Sequence, residues 1–267
     1  MGAGLLARLR SLAPSIEFHG VGGPLMQREG LTSLFPMQEL SVMGLAEVLP
    51  RLPQLFRRRD QVVAEIARVS PDILITIDSP DFCLRVASKA KAEAPDLITC
   101  HYVAPSVWAW REGRAAKMAR HIDHVLALLP FEPELMRAAG MGCDFVGHPV
   151  VAEPDVSADE IRWLRQRTGL GEAQVLLVLP GSRGSEIKRL GPIFGQAIRL
   201  VLSQMPQVRV VVPAAPNVAE QVAHMVAGWP GQPVLLDPRD QGTDAFNEEK
   251  RVAFAVADAA LAASGTV

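Results

Sequence analysis

The sequence is poor in cysteine, in aromatic residues and in net charge. Its 267 residues include only Cys83, Cys100 and Cys143, an odd number, far apart and without a CxxC pair. That spacing argues against a disulfide framework and a thiolate zinc site, and it fits a reducing cytoplasm. Aromatic residues make up 5% of the chain, with a single tyrosine. A balance of 27 basic against 29 acidic side chains leaves a formal charge of −2. No global basic field exists to hold nucleic acid. No apolar run reaches the roughly 18 residues that a membrane-spanning helix needs, and the first dozen residues lack the long apolar stretch and small-residue cleavage site of a signal peptide.

What is present is apolar surface in short pieces. Hydrophobic residues form 49% of the chain and the mean hydropathy is +0.17, high for a water-exposed protein and incompatible with disorder. Short apolar runs at 16–20, 73–77, 97–103, 124–129, 144–146, 175–179, 208–212, 234–236 and 259–263 read as strands. Amphipathic stretches at about 42–69, 84–94, 111–120, 132–139, 158–168, 185–204, 218–227 and 246–257 read as helices. Most strand runs are uninterrupted rather than alternating, which favours parallel sheets covered by crossover helices. The predicted class is α/β, with a junction near Gly147–Asp155 that separates residues 1–150 from 151–267. Ser157 or Asp159 caps the helix that follows. The chain opens inside an amphipathic helical pattern (Leu5, Leu6, Leu9, Leu12) and stops just after an apolar run, so truncation at both ends is expected.

Three segments could carry chemistry. In Leu176–Glu186 a buried strand runs into Gly181-Ser182-Arg183-Gly184-Ser185 and then a helix, so free backbone N–H groups and a helix dipole converge where a phosphate would sit. Gly181 and Gly184 allow close approach, Ser182 and Ser185 offer hydroxyls, and the Arg183 fork matches two phosphate oxygens. The turn is neither a Walker A loop nor a GxGxxG fingerprint, and an ordinary glycine turn with Ser185 as N-cap fits the same residues. In Ile77–Phe82, Asp78 ends an apolar strand, where ligands bind in open α/β sheets. It could accept a proton or a sugar hydroxyl, or it could merely shape the turn with Asp81. In His101–Arg111, Tyr102, Trp108, Trp110 and Arg111 suit a cleft that packs on a sugar or nucleotide, and core packing explains the aromatics nearly as well. His148 lies in a Gly-His-Pro turn at the interdomain junction, where clefts form. His121 and His124 have no third ligand nearby, so no metal site is assigned.

Residues 42–59 address the hydropathy. Val48, Leu49, Leu52, Leu55 and Phe56 alternate with Arg51, Arg57, Arg58 and Arg59, a composition suited to an anionic membrane surface. The alternative is a core-facing helix with a solvated basic end. Pro50 and Pro53 are expected to interrupt this helix.

Taken together, Gly20–Met26, Leu40–Gly44, Ile77–Phe82, Tyr102–Arg111, Gly147–Pro149 and Leu179–Glu186 resemble lipid-A-disaccharide synthase, with its motifs in family order. The resemblance implies a GT-B-like fold: two Rossmann-like parallel-sheet domains, the second incomplete here, the first facing the acceptor and the membrane and the second the UDP-sugar. It implies an inverting glycosyltransferase of lipid A and lipopolysaccharide biosynthesis that joins UDP-2,3-diacylglucosamine to 2,3-diacylglucosamine 1-phosphate (lipid X) through a β-1,6 bond, releasing UDP. Asp78 would be the general base and Arg183 with the 181–185 turn would hold the UDP phosphates, a role that requires no metal or cofactor. Ser264, Gly265 and Thr266 would also line the nucleotide site. The 42–59 segment would rest on the cytoplasmic face of the inner membrane of a Gram-negative-type bacterium. Family members carry a strand and a Gly-Glu-Ala-Ser-Gly-Asp turn before Met1, and a ribose-binding Glu after the Ser-Gly-Thr. A truncated, catalytically incompetent chain that retains membrane or acceptor binding is therefore an alternative expectation, and another UDP-sugar GT-B enzyme such as a 2-epimerase is a third.

Overall fold

The computed structural model describes the chain except residues 41–44, 108–112, 153, 241 and 264–267, and leaves the side chains of 45–49, 152 and 243 aside. It forms two compact units, Met1–Glu153 and Pro154–Val267.

The first unit runs α1 (Gly2–Leu12), β1 (His19–Gly20), α2 (Pro24–Arg28), β2 (Thr32–Ser33), α3 (Leu45–Val69), β3 (Ile73–Ile77), α4 (Pro80–Glu93), β4 (Ile98–Tyr102), α5 (Gly113–Met118), β5 (His124–Ala127), α6 (Glu132–Ala138) and β6 (Gly142–Phe145). Its main sheet has the order β3-β4-β5-β6, parallel throughout. Met118, Ile122, Val125, Ala127 and Met136 form the centre of its core. The predicted first strand at 16–20 shrinks to His19–Gly20, which pairs in parallel with Thr32–Ser33. Two residues are too few to give a periodic signal, so the second of these strands escaped the sequence reading.

The second unit runs α7 (Ala158–Thr168), β7 (Val175–Leu179), α8 (Gly184–Gln204), β8 (Arg209–Pro213), α9 (Ala219–Ala227), β9 (Val234–Leu236), α10 (Thr243–Val256) and β10 (Ala259–Ala262). The sheet order is β10-β7-β8-β9, again all parallel. Val175, Leu177 and Leu179 face a core shared with Leu164, Phe246 and Val252. Val178, Val210 and Val212 face the opposite layer of Ile187, Phe194, Ile198 and Val222. The period of two along β7 thus feeds two hydrophobic layers, which is why its sequence reads as one unbroken apolar run. On the α8–α9 side the helices approach closely. A Cβ on Gly195 would meet the Trp229 ring at 2.9 Å, and Trp229 Nε1 donates to the Gly191 carbonyl at 3.2 Å.

The break expected at Pro50 and Pro53 does not occur: α3 is one helix of 25 residues with both prolines inside it. Each proline removes one i→i−4 hydrogen bond and crowds the preceding turn. Tertiary anchors offset that cost. Glu39, in the short helical turn Met37–Leu40, receives Arg58 Nε and Nη2 at 2.7 Å each and Gln54 Nε2 at 2.6 Å. Arg58 also stacks over Phe35, 4.5 Å from the ring centre. Farther along, buried Val63 and the Lys89–Asp60 ion pair at 2.9 Å secure the helix.

The second unit opens on a complete capping box. Ser157 Oγ accepts from the Glu160 N–H while Glu160 Oε2 accepts from the Ser157 N–H at 2.6 Å. These bonds from Ser157 hold the Glu160 carboxyl down at about 2, helped by Arg251. A carboxyl depressed in the folded state stabilises fully above its unfolded value, near 4.5, and loses that contribution as pH falls toward 2. We expect the melting temperature to fall across that window, and Glu160→Gln to flatten the slope; thermal melts at pH 2–6 in which the two chains superimpose would contradict this. Ser157→Ala should cost about 1 kcal/mol.

Candidate functional site

Parallel pairing gathers the strand ends of the first unit along one edge. Just past that edge the backbone is unusual: Asp78 (φ 49°), Ser79 (φ 43°) and Val103 (φ 82°) all lie in the left-handed region. Non-glycine residues there cost roughly 1–2 kcal/mol each and cluster at functional sites. The ladder holds them in place, since the Asp78 N–H donates to the Tyr102 carbonyl at 2.9 Å and the Val103 N–H to the Leu126 carbonyl at 3.0 Å. Asp78 is exposed, and its carboxylate makes no hydrogen bond with the described residues. A carboxylate so placed can take a proton from an incoming hydroxyl. Asp81 does not cap the next helix as a turn former would. It sits in the first turn of α4, which starts at Pro80, and pairs with Arg114.

Behind Asp78 lies a layer that the sequence reading did not single out. His101 is fully buried and shares a 2.7 Å hydrogen bond between Nδ1 and Thr76 Oγ1, while its Nε2 has no partner among the described residues. Burial pushes the imidazole down to about 4, against the pull of the Asp78 charge, so it is neutral at physiological pH. Burial likewise raises the Cys83 thiol to about 11; it points at the Ile77 carbonyl at 3.8 Å. All three cysteines are free thiols. At the end of β5, buried Glu132 accepts the N–H groups of Leu128 and Leu129 at 2.9 and 2.8 Å, fixing that turn. Trp108 and Arg111 lie outside the described residues. His148 is exposed, and its Nδ1 accepts from the Val150 N–H at 3.2 Å.

In the second unit β7 delivers Pro180 and Gly181 to the start of α8. Gly181 has φ 122°, and a Cβ on it would lie 2.6 Å from Glu186 Oε2, so this position accepts only glycine. Arg183, not Ser185, occupies the N-cap position, without a side-chain cap bond, and Ser185 is exposed within the first turn. The Ser182 N–H donates to Glu186 Oε2 at 3.0 Å and Arg183 Nη1 to Glu186 Oε1 at 2.6 Å. Burial acts to raise the Glu186 carboxyl, but Arg183 and the Ser182 N–H together hold it below its usual range. Asn217, past the end of β8, donates Nδ2 to the Ser182 carbonyl at 2.8 Å. The Pro213-Ala-Ala-Pro-Asn turn at a strand end was the available signal for it. Ser264, Gly265 and Thr266 fall outside the described residues. A separate open groove of about 440 Å³ on the α8–α9 surface is lined by Ile187, Lys188, Gln221 and His224 among others.

On α3, Phe56 is 40% exposed and Arg59 stacks on it at 5.1 Å. Arg57 is exposed, and Leu52 and Leu55 are half-buried. Arg58 turns away to Glu39 and Phe35, with only 18% of its side chain exposed. It therefore leaves the set of basic residues offered to a surface. Val48 and Leu49 lie in α3 with side chains outside the described set. No described helix is long and apolar enough to cross a membrane.

Ser79 combines positive φ with an exposed side chain that makes no cap bond. Ser79→Gly should therefore stabilise the chain by about 0.5–1 kcal/mol in a denaturant titration; a loss of stability would show that the turn is not strained.

The lipid-A-disaccharide synthetase family profile matches residues 1–267. The lipid-A-disaccharide synthase of Ruegeria pomeroyi is 59% identical over 267 residues, covering all of this chain and 66% of that protein. The synthase of Rhodospirillum centenum is 47% identical over 268 residues, covering all of this chain and 65% of that one. The chain thus spans just under two thirds of the length of these relatives. Among solved structures, an S. aureus MnaA–UDP structure superposes with a TM-score of 0.65 at 12% identity, covering 99% of this chain and 71% of that one. The UDP-GlcNAc 2-epimerase of Neisseria meningitidis bound to UDP-GlcNAc gives 0.61 at 11%, covering 91% and 66%. At such identities the likeness shows the GT-B-type fold alone, and the family rests on the sequence match along the whole chain. The chain belongs to the lipid-A-disaccharide synthetase family.

Proposed function

We propose that the chain carries the acceptor side and the phosphate turn of an inverting glycosyltransferase that moves 2,3-diacylglucosamine from its UDP conjugate to lipid X. The observation that carries this reading is Asp78, an exposed carboxylate at the carboxyl end of β3, unpaired among the described residues, in a member of this family. In the reaction the acceptor 6-hydroxyl oxygen bonds to the donor anomeric carbon while the bond from that carbon to the β-phosphate oxygen breaks. The hydroxyl proton passes to Asp78, and the electron pair leaves on UDP. Positioned proton transfer contributes typically about 10²–10⁴-fold. The Arg183 guanidinium and the N–H groups of the 181–185 turn would meet the charge that grows on the departing diphosphate. Thr76 of β3 and neutral His101 of β4, bonded to each other, support the Asp78 turn without adding a competing charge.

Exposed Phe56, with Arg59 stacked on it, and exposed Arg57 support contact with an anionic lipid surface, where acylated substrates reside. Phe56→Glu should weaken co-sedimentation with anionic vesicles severalfold; equal binding would take this face out of the contact.

In a version extended to the length of its relatives, Asp78→Asn should lower turnover at least about 100-fold with UDP affinity largely kept. Arg183→Ala should weaken UDP binding by about tenfold or more, as loss of a bidentate charge-assisted contact does. Undiminished turnover in the first, or unchanged calorimetric affinity in the second, would remove that residue from its role.

A further inference from the structure

The 181–185 turn has the parts of an anion site, and an anion is already in it. Glu186 folds back so that one carboxylate oxygen takes the Ser182 N–H and the other takes the Arg183 guanidinium. The fit is close. The space a Cβ on Gly181 would need is filled by Glu186 Oε2 at 2.6 Å and Glu186 Cβ at 2.8 Å. Glu186 is the third residue of α8, from which a glutamate commonly reaches back to the N-cap backbone. Here the N-cap is Arg183, which has no hydroxyl to return the bond. The reciprocal half of a capping box, present at Ser157 and Glu160, is replaced by a second donor to the same carboxylate. Such an arrangement recognises two oxygens of one anion.

We propose that Glu186 is the resident occupant of the phosphate turn and that a nucleoside diphosphate binds by displacing it. This rests on the reading of the 181–185 turn as the diphosphate site. An incoming phosphate cannot share the Ser182 N–H and the Arg183 fork with a fixed carboxylate, because like charges at hydrogen-bond range repel strongly in a partly buried turn. Glu186 therefore swings out toward water, and its donors pass to the ligand. The exchange has a consequence for selectivity. A ligand must bring enough negative charge to outcompete a carboxylate held by the Ser182 N–H and by both the backbone and the guanidinium of Arg183, which favours a diphosphate over a singly charged or neutral nucleoside. In the empty state the same contact keeps Arg183 and the Ser182 N–H satisfied, so the turn keeps its shape while it waits.

Calorimetry with UDP on the 267-residue chain and its Glu186→Gln variant tests this. Glutamine keeps the shape and one acceptor but removes the charge, so UDP should bind about tenfold tighter, the difference between displacing a charged and a neutral hydrogen-bonding group. Unchanged or weaker binding would mean that Glu186 braces Arg183 in the bound state, and would overturn displacement while leaving the diphosphate site intact. Absence of UDP binding by both chains would overturn the diphosphate reading and this inference with it. A second measurement needs no variant. With 13C-labelled glutamate, the Glu186 carboxyl resonance of the unsubstituted chain should move on UDP saturation to that of a solvent-exposed glutamate, and a resonance that stays in place would overturn the proposal independently.

Discussion

Parallel strand pairing is the constraint on which the rest of this structure depends. In a sheet whose strands all run one way, every carboxyl end emerges along the same edge, and every crossover must begin there. In the first unit that edge carries Asp78, Ser79 and Val103 as immediate continuations of β3 and β4. In the second it carries Gly181 to Ser185 after β7 and Asn217 after β8. Neither group is local in sequence. The ladder brings Ile77 into register with Tyr102 and Leu177 with Val211, and the chemistry follows from where those strands stop.

The two edges solve different electrostatic problems. At Asp78 the backbone accepts two successive left-handed residues to turn a carboxylate outward, and among the described residues the neutral polar groups His101 and Thr76 pack in the layer behind it. At the 181–185 turn the charges converge instead, with N–H groups and Arg183 aimed at one small volume. That volume favours an anion, and Glu186 supplies one from within the chain.

Much of this was legible in the sequence, for reasons that can be named. The buried strands of the second unit read correctly as unbroken runs because β7 and β8 are covered on both faces. Asp78 and the glycine turn were legible because strand ends are marked by the change from apolar to Gly, Pro and Asp. Other features depend on partners distant in the chain and leave no local trace. Helix α3 passes through Pro50 and Pro53 because Glu39 and Phe35, on a separate turn, grip Gln54 and Arg58. The same grip removes Arg58 from a cluster that looked uniformly basic. Asn217 and Glu186 read as ordinary loop and helix residues until the fold places one on the Ser182 carbonyl and the other on the Ser182 N–H. His101 stood beside a recognised motif, but only its burial and its bond to Thr76 give it a role.

The claim that ligand recognition sits at the strand ends is tested most directly by the amide resonances of the 15N-labelled chain during titration with UDP. Shifts concentrated at Gly181 to Glu186, together with the side-chain amide of Asn217, are the expected result. Shifts confined to Lys188, Gln221 and His224 would place the nucleotide in the α8–α9 groove and contradict it.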